Sequence, residues 1–456
     1  MSTGCFSDQK KSIPLFVVEE GDFSTWVASQ LELVRRWLIA ADFKGKAGTF
    51  CLVPNSQGQL QAVVVCVSRL DDLYGLAALP LRLPQGVYHL HDHTHAFEQL
   101  LGWGLGCYQF TRYKKAESTP AQITVPSGIS QQRLENILSA IYLVRDLINT
   151  PTEDLGPEQL AQAARNLADE FNGDYSECVG DELLEQGFNA IHAVGRASPR
   201  APRLIDLHFG DPRAPAITLV GKGVCFDSGG LDLKNASGML TMKKDMAGAA
   251  HVLGLARMIL VEALPVRLRV LIPAVENVVS GNSYRPGDVI KMRSGKTVEI
   301  TNTDAEGRLI LADALHAAVE KKPELLINIA SLTGAARVAL GTDLAGLFSN
   351  QDTLSSAILE QAKTVQDPTW LLPLYSPYRD LLKSPIADFT NAVEGGYGGA
   401  ITAALFLQEF VPETIPWMHW DIMAWNNSQK PGRPMGGEAM GIRAIFGYLL
   451  EKYGKK

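Results

Sequence analysis

Four carboxylates in three short stretches are of a type and spacing suited to chemistry. Asp227 lies in Gly221-Lys-Gly-Val-Cys-Phe-Asp-Ser-Gly-Gly-Leu-Asp-Leu-Lys234, Asp245 closes Thr241-Met-Lys-Lys-Asp245, and Asp304 and Glu306 lie in Asn302-Thr-Asp-Ala-Glu-Gly-Arg-Leu309. Helix capping accounts for Asp245 and for Asp304, since short acids at a helix start satisfy free backbone N–H groups. Capping leaves Asp227 and Glu306 unexplained. Brought together, the four would repel one another unless cations offset them. One or two divalent metals are the natural offset, because carboxylate oxygens suit such ions. Lys222, Lys234 and Arg308 add positive charge to the same stretches. The glycines of 221–234 also admit a phosphate cradle. The P-loop order is absent there, and Ser294-Gly-Lys-Thr297 lacks the upstream glycine and precedes a strand, so nucleotide binding is discounted.

The elements that must position these residues follow from hydrophobic spacing. Strands are expected at 190–194, 203–208, 216–220, 266–272, 297–301, 325–330 and 417–422. Helices are expected at 157–171, 245–260, 307–321, 352–365, 400–410 and 438–453. This alternation predicts an α/β fold with a mixed sheet flanked by helices on both faces. Ligands of such sheets bind beyond the carboxyl ends of strands, and Asp227, Asp245, Asp304 and Glu306 are expected there. Ahead of this region, strands at 48–53 and 61–67 and a helix over 23–39 predict a small N-terminal α/β domain. The expected organisation is an N-terminal domain at 1–128, a linker helix at 129–150 that ends at Asn149-Thr-Pro151, and a catalytic domain at 151–456.

Composition narrows the function classes. At 456 residues, two domains are expected. A net charge of −7 and a pI near 5.8 argue against a general nucleic-acid binder. The short basic clusters at Arg112–Lys115 and at Arg196, Arg200 and Arg203 read as solvated faces. Six scattered cysteines without a Cys-x-x-Cys pair suit a reducing compartment. A polar start and no membrane-length apolar run point to a cytoplasmic protein. His89, His91, His93 and His95 alternate and would share one face of a strand; an exposed polar strand or loop is preferred to a metal site.

The chain resembles the leucyl aminopeptidases of the two-metal cytosolic family, the M17 peptidases. The resemblance is carried by Asn302–Leu309 intact, by Lys222, Asp227 and Lys234 at the family spacing, by Met242-Lys-Lys-Asp-Met246, and by Asn149–Pro151 and Ser331-Leu-Thr-Gly334. It covers about residues 149–456; earlier, only Leu101-Gly-Trp-Gly-Leu-Gly106 and the Tyr108 and Phe110 that follow look familiar. The resemblance implies a metal-dependent aminopeptidase acting on peptide substrates through a metal-bridging water or hydroxide. It implies two divalent ions, manganese or zinc, with Asp227 and Glu306 bridging them, Asp304 on one, and Lys222 with Asp245 on the other. Lys222 would have to be neutral. Lys234 would stabilise the oxyanion, and Arg308 would hold a bicarbonate. The family also implies a hexamer.

The resemblance places the pocket for the N-terminal side chain near Met242, Leu332, Gly334 and Met423. A common family segment, Asp-Ile-Ala-Gly, stands here as Asp421-Ile-Met-Ala424 followed by Trp425, so Met423 and Trp425 are expected to narrow that pocket. Gly395-Gly-Tyr-Gly-Gly399 reads as a helix-start turn near the site rather than an anion site. Two rival functions are another two-metal hydrolase, such as a phosphoesterase, and a non-enzymatic DNA-binding or scaffolding hexamer. Nucleic acid and membrane are not expected partners.

Overall fold

The computed structural model describes residues 3–116, 118–393 and 395–454. The chain forms two compact units, one of Met1–Tyr142 with Asn427–Met435, the other of Leu143–Asn426 with Gly436–Lys456. The first unit therefore takes in one segment from far along the chain.

In the first unit a five-stranded sheet has the order Thr49–Pro54, Leu60–Val67, Ile13–Glu19, Val87–Leu90 and Gln122–Ile123. Only the Thr49–Pro54 pairing is antiparallel. The helix expected over 23–39 is two helices, Phe23–Ser29 and Glu32–Ala40, because Gln30 takes an extended conformation and breaks the run. Helix Ala96–Cys107 is almost wholly buried. Gly102 and Gly106 permit this: a Cβ would lie 1.8 Å from the Leu73 carbonyl oxygen and 2.0 Å from that of Ala77. The alternating histidines do not share a face. The strand ends at Leu90, His89 bonds Ser12 Oγ at 2.9 Å, and His95 has a φ of 57° at the start of a helix.

The second unit is built on a nine-stranded mixed sheet. Its order is Thr369–Leu371, Ala345–Ser349, Trp417–Asp421, Leu325–Ala330, Ala216–Gly221, Arg267–Asn277, Arg203–Phe209 and Asp174–Val179, with Gly223–Asp227 also pairing with Arg267–Asn277. The four central strands are mutually parallel. Pro157–Glu170, Ala247–Val261, Asp352–Thr364 and Ile442–Tyr453 gather on one face. Asn189–Gly195, Glu306–Val319 and Gly399–Gln408 gather on the other. Burial on both faces explains the mostly apolar strand Leu325–Ala330, all six residues of which are buried, its one polar member Asn328 being bonded to His419 and Trp417.

The strand expected at 190–194 is instead helix Asn189–Gly195. Ala190, Ile191, Ala193 and Val194 are all buried against the sheet, and an apolar run this short carries no decisive period. Strand Gly223–Asp227 lies hidden inside the glycine-rich stretch. Among the described residues, no helix is long and apolar enough to cross a membrane.

Candidate metal centre

Asp227 ends strand Gly223–Asp227, and its register partner on the neighbouring strand is Asn277. Lys222 is the single residue between strands Ala216–Gly221 and Gly223–Asp227. Asp245 sits in a 3-10 turn, Met242–Met246, rather than in the α-helix that follows it. Glu306 is the first residue of helix Glu306–Val319. The strand that feeds the Asn302–Leu309 stretch spans Thr297–Glu299 and belongs to a separate three-stranded sheet, so Asp304 and Glu306 do not come from the edge of the main sheet. Asn391 holds that approach. Its Oδ1 accepts from Thr301 N at 2.8 Å and Asn302 N at 3.2 Å, and its Nδ2 donates to the Asn302 carbonyl at 2.7 Å.

These elements bring oxygen atoms of Asp227, Asp245 and Glu306 within 4.8 Å of one another, all three residues being buried. Asp304 stands beside them, more exposed, in contact with Lys234. Lys222 Nζ lies 2.6 Å from Asp245 Oδ2 and 2.9 Å from Glu306 Oε1, and donates to the Ser331 carbonyl at 3.2 Å. Asp245 Oδ2 nevertheless has no hydrogen bond of good geometry. Its contact with Lys222 is that of a charge near a charge. Lys234 Nζ lies 2.8 Å from Asp227 Oδ2 and also pairs with Asp304.

A polar frame sets the carboxylates. Asn277 Nδ2 donates to Asp227 Oδ1 at 2.9 Å and to the Thr303 carbonyl at 3.0 Å, and reaches Glu306 Oε2 at 3.4 Å. Ser331 Oγ donates to Asp245 Oδ1 at 2.7 Å. Thr303 Oγ1 donates to the Gly229 carbonyl at 2.7 Å, and Thr303 N donates to Asp232 Oδ2 at 2.7 Å. Gly307 leaves space for Lys222: a Cβ there would lie 2.4 Å from Lys222 Cε and 2.7 Å from its Nζ. The spacing of acids and lysines gave no sign of Asn277. The feature that could have flagged it is a polar residue ending a long apolar strand.

Electrostatics mark the cluster as short of positive charge. Burial, then the neighbouring Asp227 charge, pushes the Glu306 carboxyl up to about 8 and that of Asp304 up to about 6. Burial opposes the charge of Lys222, yet Asp245 and Glu306 hold its pKa above the ordinary value. Lys234 behaves alike, with burial outweighed by Asp227 and Asp304. Crowded hard oxygens, an unbonded Asp245 oxygen and carboxyls that resist ionisation fit divalent cations.

Beside the cluster opens a cavity of about 610 Å³ whose wall includes Asp227, Lys234, Asp245 and Asp304. Met242, Leu332, Gly334 and Met423 line it too, whereas Trp425, also expected to narrow the side-chain pocket, is not part of its wall and instead has Lys243 Nζ 5.6 Å from its ring centre. Asp421 fixes part of this wall. Its carboxylate accepts from Leu332 N at 3.0 Å, Thr333 N at 3.1 Å and Thr333 Oγ1 at 2.6 Å. Arg308 faces a second cavity, of about 200 Å³, which Leu332, Gly334 and Asp304 also line. Burial pushes its pKa down to about 10; one guanidinium nitrogen donates to the Asn391 carbonyl at 2.8 Å, and its Nε has no partner. The glycine-rich Gly395–Gly399 turn leads into helix Gly399–Gln408, and Gly396 and Gly399 line this second cavity.

A doubly covered mixed sheet carrying a buried acid and lysine cluster beside an open cavity is suited to metal-assisted hydrolysis. The cytosol aminopeptidase family catalytic domain matches residues 142–446, and the M17 aminopeptidase N-terminal domain matches residues 13–126. The chain therefore belongs to the M17 cytosol aminopeptidase family and is a metal-dependent aminopeptidase. A probable cytosol aminopeptidase of Roseiflexus castenholzii is 42% identical over 365 residues, 76% of this chain and 74% of the relative. One of Rhodopirellula baltica is 43% identical over 356 residues, 75% and 69% of the two chains. The crystal structure of a cytosol aminopeptidase from Coxiella burnetii shares 50% identity at a TM-score of 0.95, covering 98% of this chain and 99% of its own. The bottromycin maturation enzyme BotP in complex with Mn shares 31% identity at a TM-score of 0.85, covering 97% of this chain and 99% of its own.

Proposed function

We propose that the catalytic domain, residues 151–456, removes the N-terminal residue of peptides with two divalent ions held by Lys222, Asp227, Asp245, Asp304 and Glu306. The observation that carries this reading is the buried cluster of Asp227, Asp245 and Glu306, from three separate stretches of sequence, which with the adjoining Asp304 meets two lysines. Asp227 and Glu306 are the central pair, supported by the reach of Asn277 to both. Lys222 would serve as a ligand only once neutral, which the added cations favour by repelling its ammonium form. When bound, the ions would polarise the scissile carbonyl and acidify water. Lys234, bordering the larger cavity, places positive charge where oxyanion charge develops. Arg308, with its unpartnered Nε on the smaller cavity, is suited to hold a bicarbonate that accepts and returns a proton. Met242, Leu332, Gly334 and Met423 receive the first side chain. The Mn complex of BotP supports manganese as the ion, with zinc the alternative. A cytoplasmic homohexamer is part of the same reading.

The experiment is hydrolysis of aminoacyl anilides by protein incubated with Mn²⁺. Release of the aniline and the free amino acid, lost in Glu306→Ala and Lys234→Ala, is expected. Turnover of phosphate esters alone would refute the reading.

A further inference from the structure

The larger cavity carries two cations that the metal cluster does not use. Lys244 is 5% exposed and lines the cavity beside Met242. Arg337, on helix Gly334–Leu340, lines it beside Met423. Among the described residues the Lys244 side chain has no hydrogen bond or ion pair, its backbone N donating to the Thr241 carbonyl at 3.0 Å, and the one hydrogen bond of the Arg337 side chain is a long contact of 4.0 Å from a guanidinium nitrogen to Met423 Sδ.

Carboxylates lie near Lys244, but they are engaged elsewhere. Asp245 is held by Lys222 and Ser331. Asp421 is held by Leu332 N, Thr333 N and Thr333 Oγ1. Asp227 and Asp304 are held by Lys234. Lys222 and Arg337 add further positive charge around Lys244. A nearly buried ammonium without a carboxylate partner is expensive, and such groups are ordinarily paired. Met242, Ile422 and Met423 supply apolar wall between the charged groups, enough to cover a short methylene stem.

We propose that this pocket selects a carboxylate at the first side chain, so that peptides beginning with glutamate or aspartate are preferred substrates. The inference rests on the aminopeptidase reading and on Met242 and Met423 lining the pocket for that side chain. Lys244 pairs with the substrate carboxylate at depth, and Arg337 closes over it from the rim as a second donor. The methylenes of glutamate lie against Met242 and Met423. Leucine or methionine would fill the same volume but leave Lys244 desolvated and unpaired. A polar group left unpaired in that way is what gives an enzyme discrimination larger than shape alone allows.

The test compares kcat/KM of the Mn²⁺-loaded protein for glutamyl, aspartyl, leucyl and methionyl anilides, which have no C-terminal carboxylate. The glutamyl-to-leucyl ratio is expected to exceed 10 in the wild type, to fall at least 30-fold in Lys244→Met, and to be largely kept in Lys244→Arg. Arg337→Gln should lower the same ratio by a smaller factor. Thermal midpoints with and without Mn²⁺ establish that each variant is folded and loaded. Hydrolysis of leucyl and methionyl anilides without glutamyl or aspartyl turnover overturns the proposal and leaves the aminopeptidase reading intact. Hydrolysis of none of the four overturns both. A second arm compares Leu-Gly with Leu-Gly amide. Should Lys244→Met change that ratio and spare the glutamyl-to-leucyl ratio, the cations serve the C-terminal carboxylate and the proposal falls.

Discussion

Gly307→Ala probes the packing of the metal centre without removing any charge. The new Cβ would lie 2.4 Å from Lys222 Cε, 2.7 Å from Nζ and 2.8 Å from Cδ, where ordinary contact begins at 3.4 Å. Lys222 has little freedom to retreat, because Nζ is held 2.6 Å from Asp245 Oδ2, 2.9 Å from Glu306 Oε1 and 3.2 Å from the Ser331 carbonyl. If the lysine stays, overpacking costs about 1–3 kcal/mol. If it moves, two buried carboxylates lose their counter-charge, and breaking a buried pair costs about 3–5 kcal/mol. Gly281→Ala is the control, since a Cβ there meets nothing within 4 Å. The assays are denaturant unfolding and anilide hydrolysis with Mn²⁺ added. The account predicts a stability loss of about 2–4 kcal/mol and at least a 100-fold fall in kcat/KM for Gly307→Ala, with little change in Gly281→Ala. In a Lys222→Ala background the Gly307→Ala cost should shrink to within about 0.5 kcal/mol, the range of independent sites. Wild-type stability and turnover in Gly307→Ala would refute the reasoning.

Three further outcomes follow from the same structure. Asn277→Leu keeps the side-chain size but removes the donor shared by Asp227, Thr303 and Glu306, so Mn²⁺ affinity by calorimetric titration should weaken roughly 10–100-fold. His251 is a neutral imidazole, with Nδ1 bonded to the Ala247 carbonyl at 2.6 Å and Nε2 accepting from Met440 N at 2.9 Å. Burial pushes its pKa down to about 4 from 6.5. The unfolded chain thus binds the extra proton first, so this group's stability contribution, about 3 kcal/mol, is complete above pH 6.5 and lost as pH falls to 4. Unfolding midpoints followed from pH 7 to 4 should fall less steeply in His251→Gln than in the wild type. Ala424 sits at a φ of 52°, a left-handed conformation that costs a non-glycine residue about 1–2 kcal/mol. Ala424 is fully buried, so Ala424→Gly also gives up a buried methyl worth about 0.8 kcal/mol and about 0.5–1 kcal/mol of glycine chain entropy; relief of strain offsets both, stability should stay within about 0.5 kcal/mol of wild type, and a loss above about 1.5 kcal/mol would contradict this.

Much of the architecture was legible because both faces of the sheet are covered. Leu325–Ala330 and Ala216–Gly221 read as strands whose apolar runs only Asn328 and Thr218 interrupt, and the helix expected at 307–321 begins at Glu306. The segment 190–194 misled because a two-turn helix buried on one side shows the same short apolar run as a strand. Strand Gly223–Asp227 escaped notice because its neighbours are turn-forming glycines. For the candidate site, charge crowding among Asp227, Asp245, Asp304 and Glu306 was readable without geometry. The contributions of Asn277, Ser331 and Asp421 were not, because each acts through hydrogen bonds to residues between 26 and 89 positions away. The place of Gly307 against Lys222 also depends on tertiary contact alone; from sequence it reads as a helix-start glycine.

The central claim is that two divalent ions share Asp227 and Glu306. Anomalous diffraction at the manganese edge, from crystals of the protein equilibrated with Mn²⁺, addresses it directly. The account predicts two peaks per subunit, both within about 2.5 Å of carboxylate oxygens in this cluster and both touching Asp227 and Glu306. A single peak, or peaks at the His89–His95 tract with none at Glu306, would contradict it.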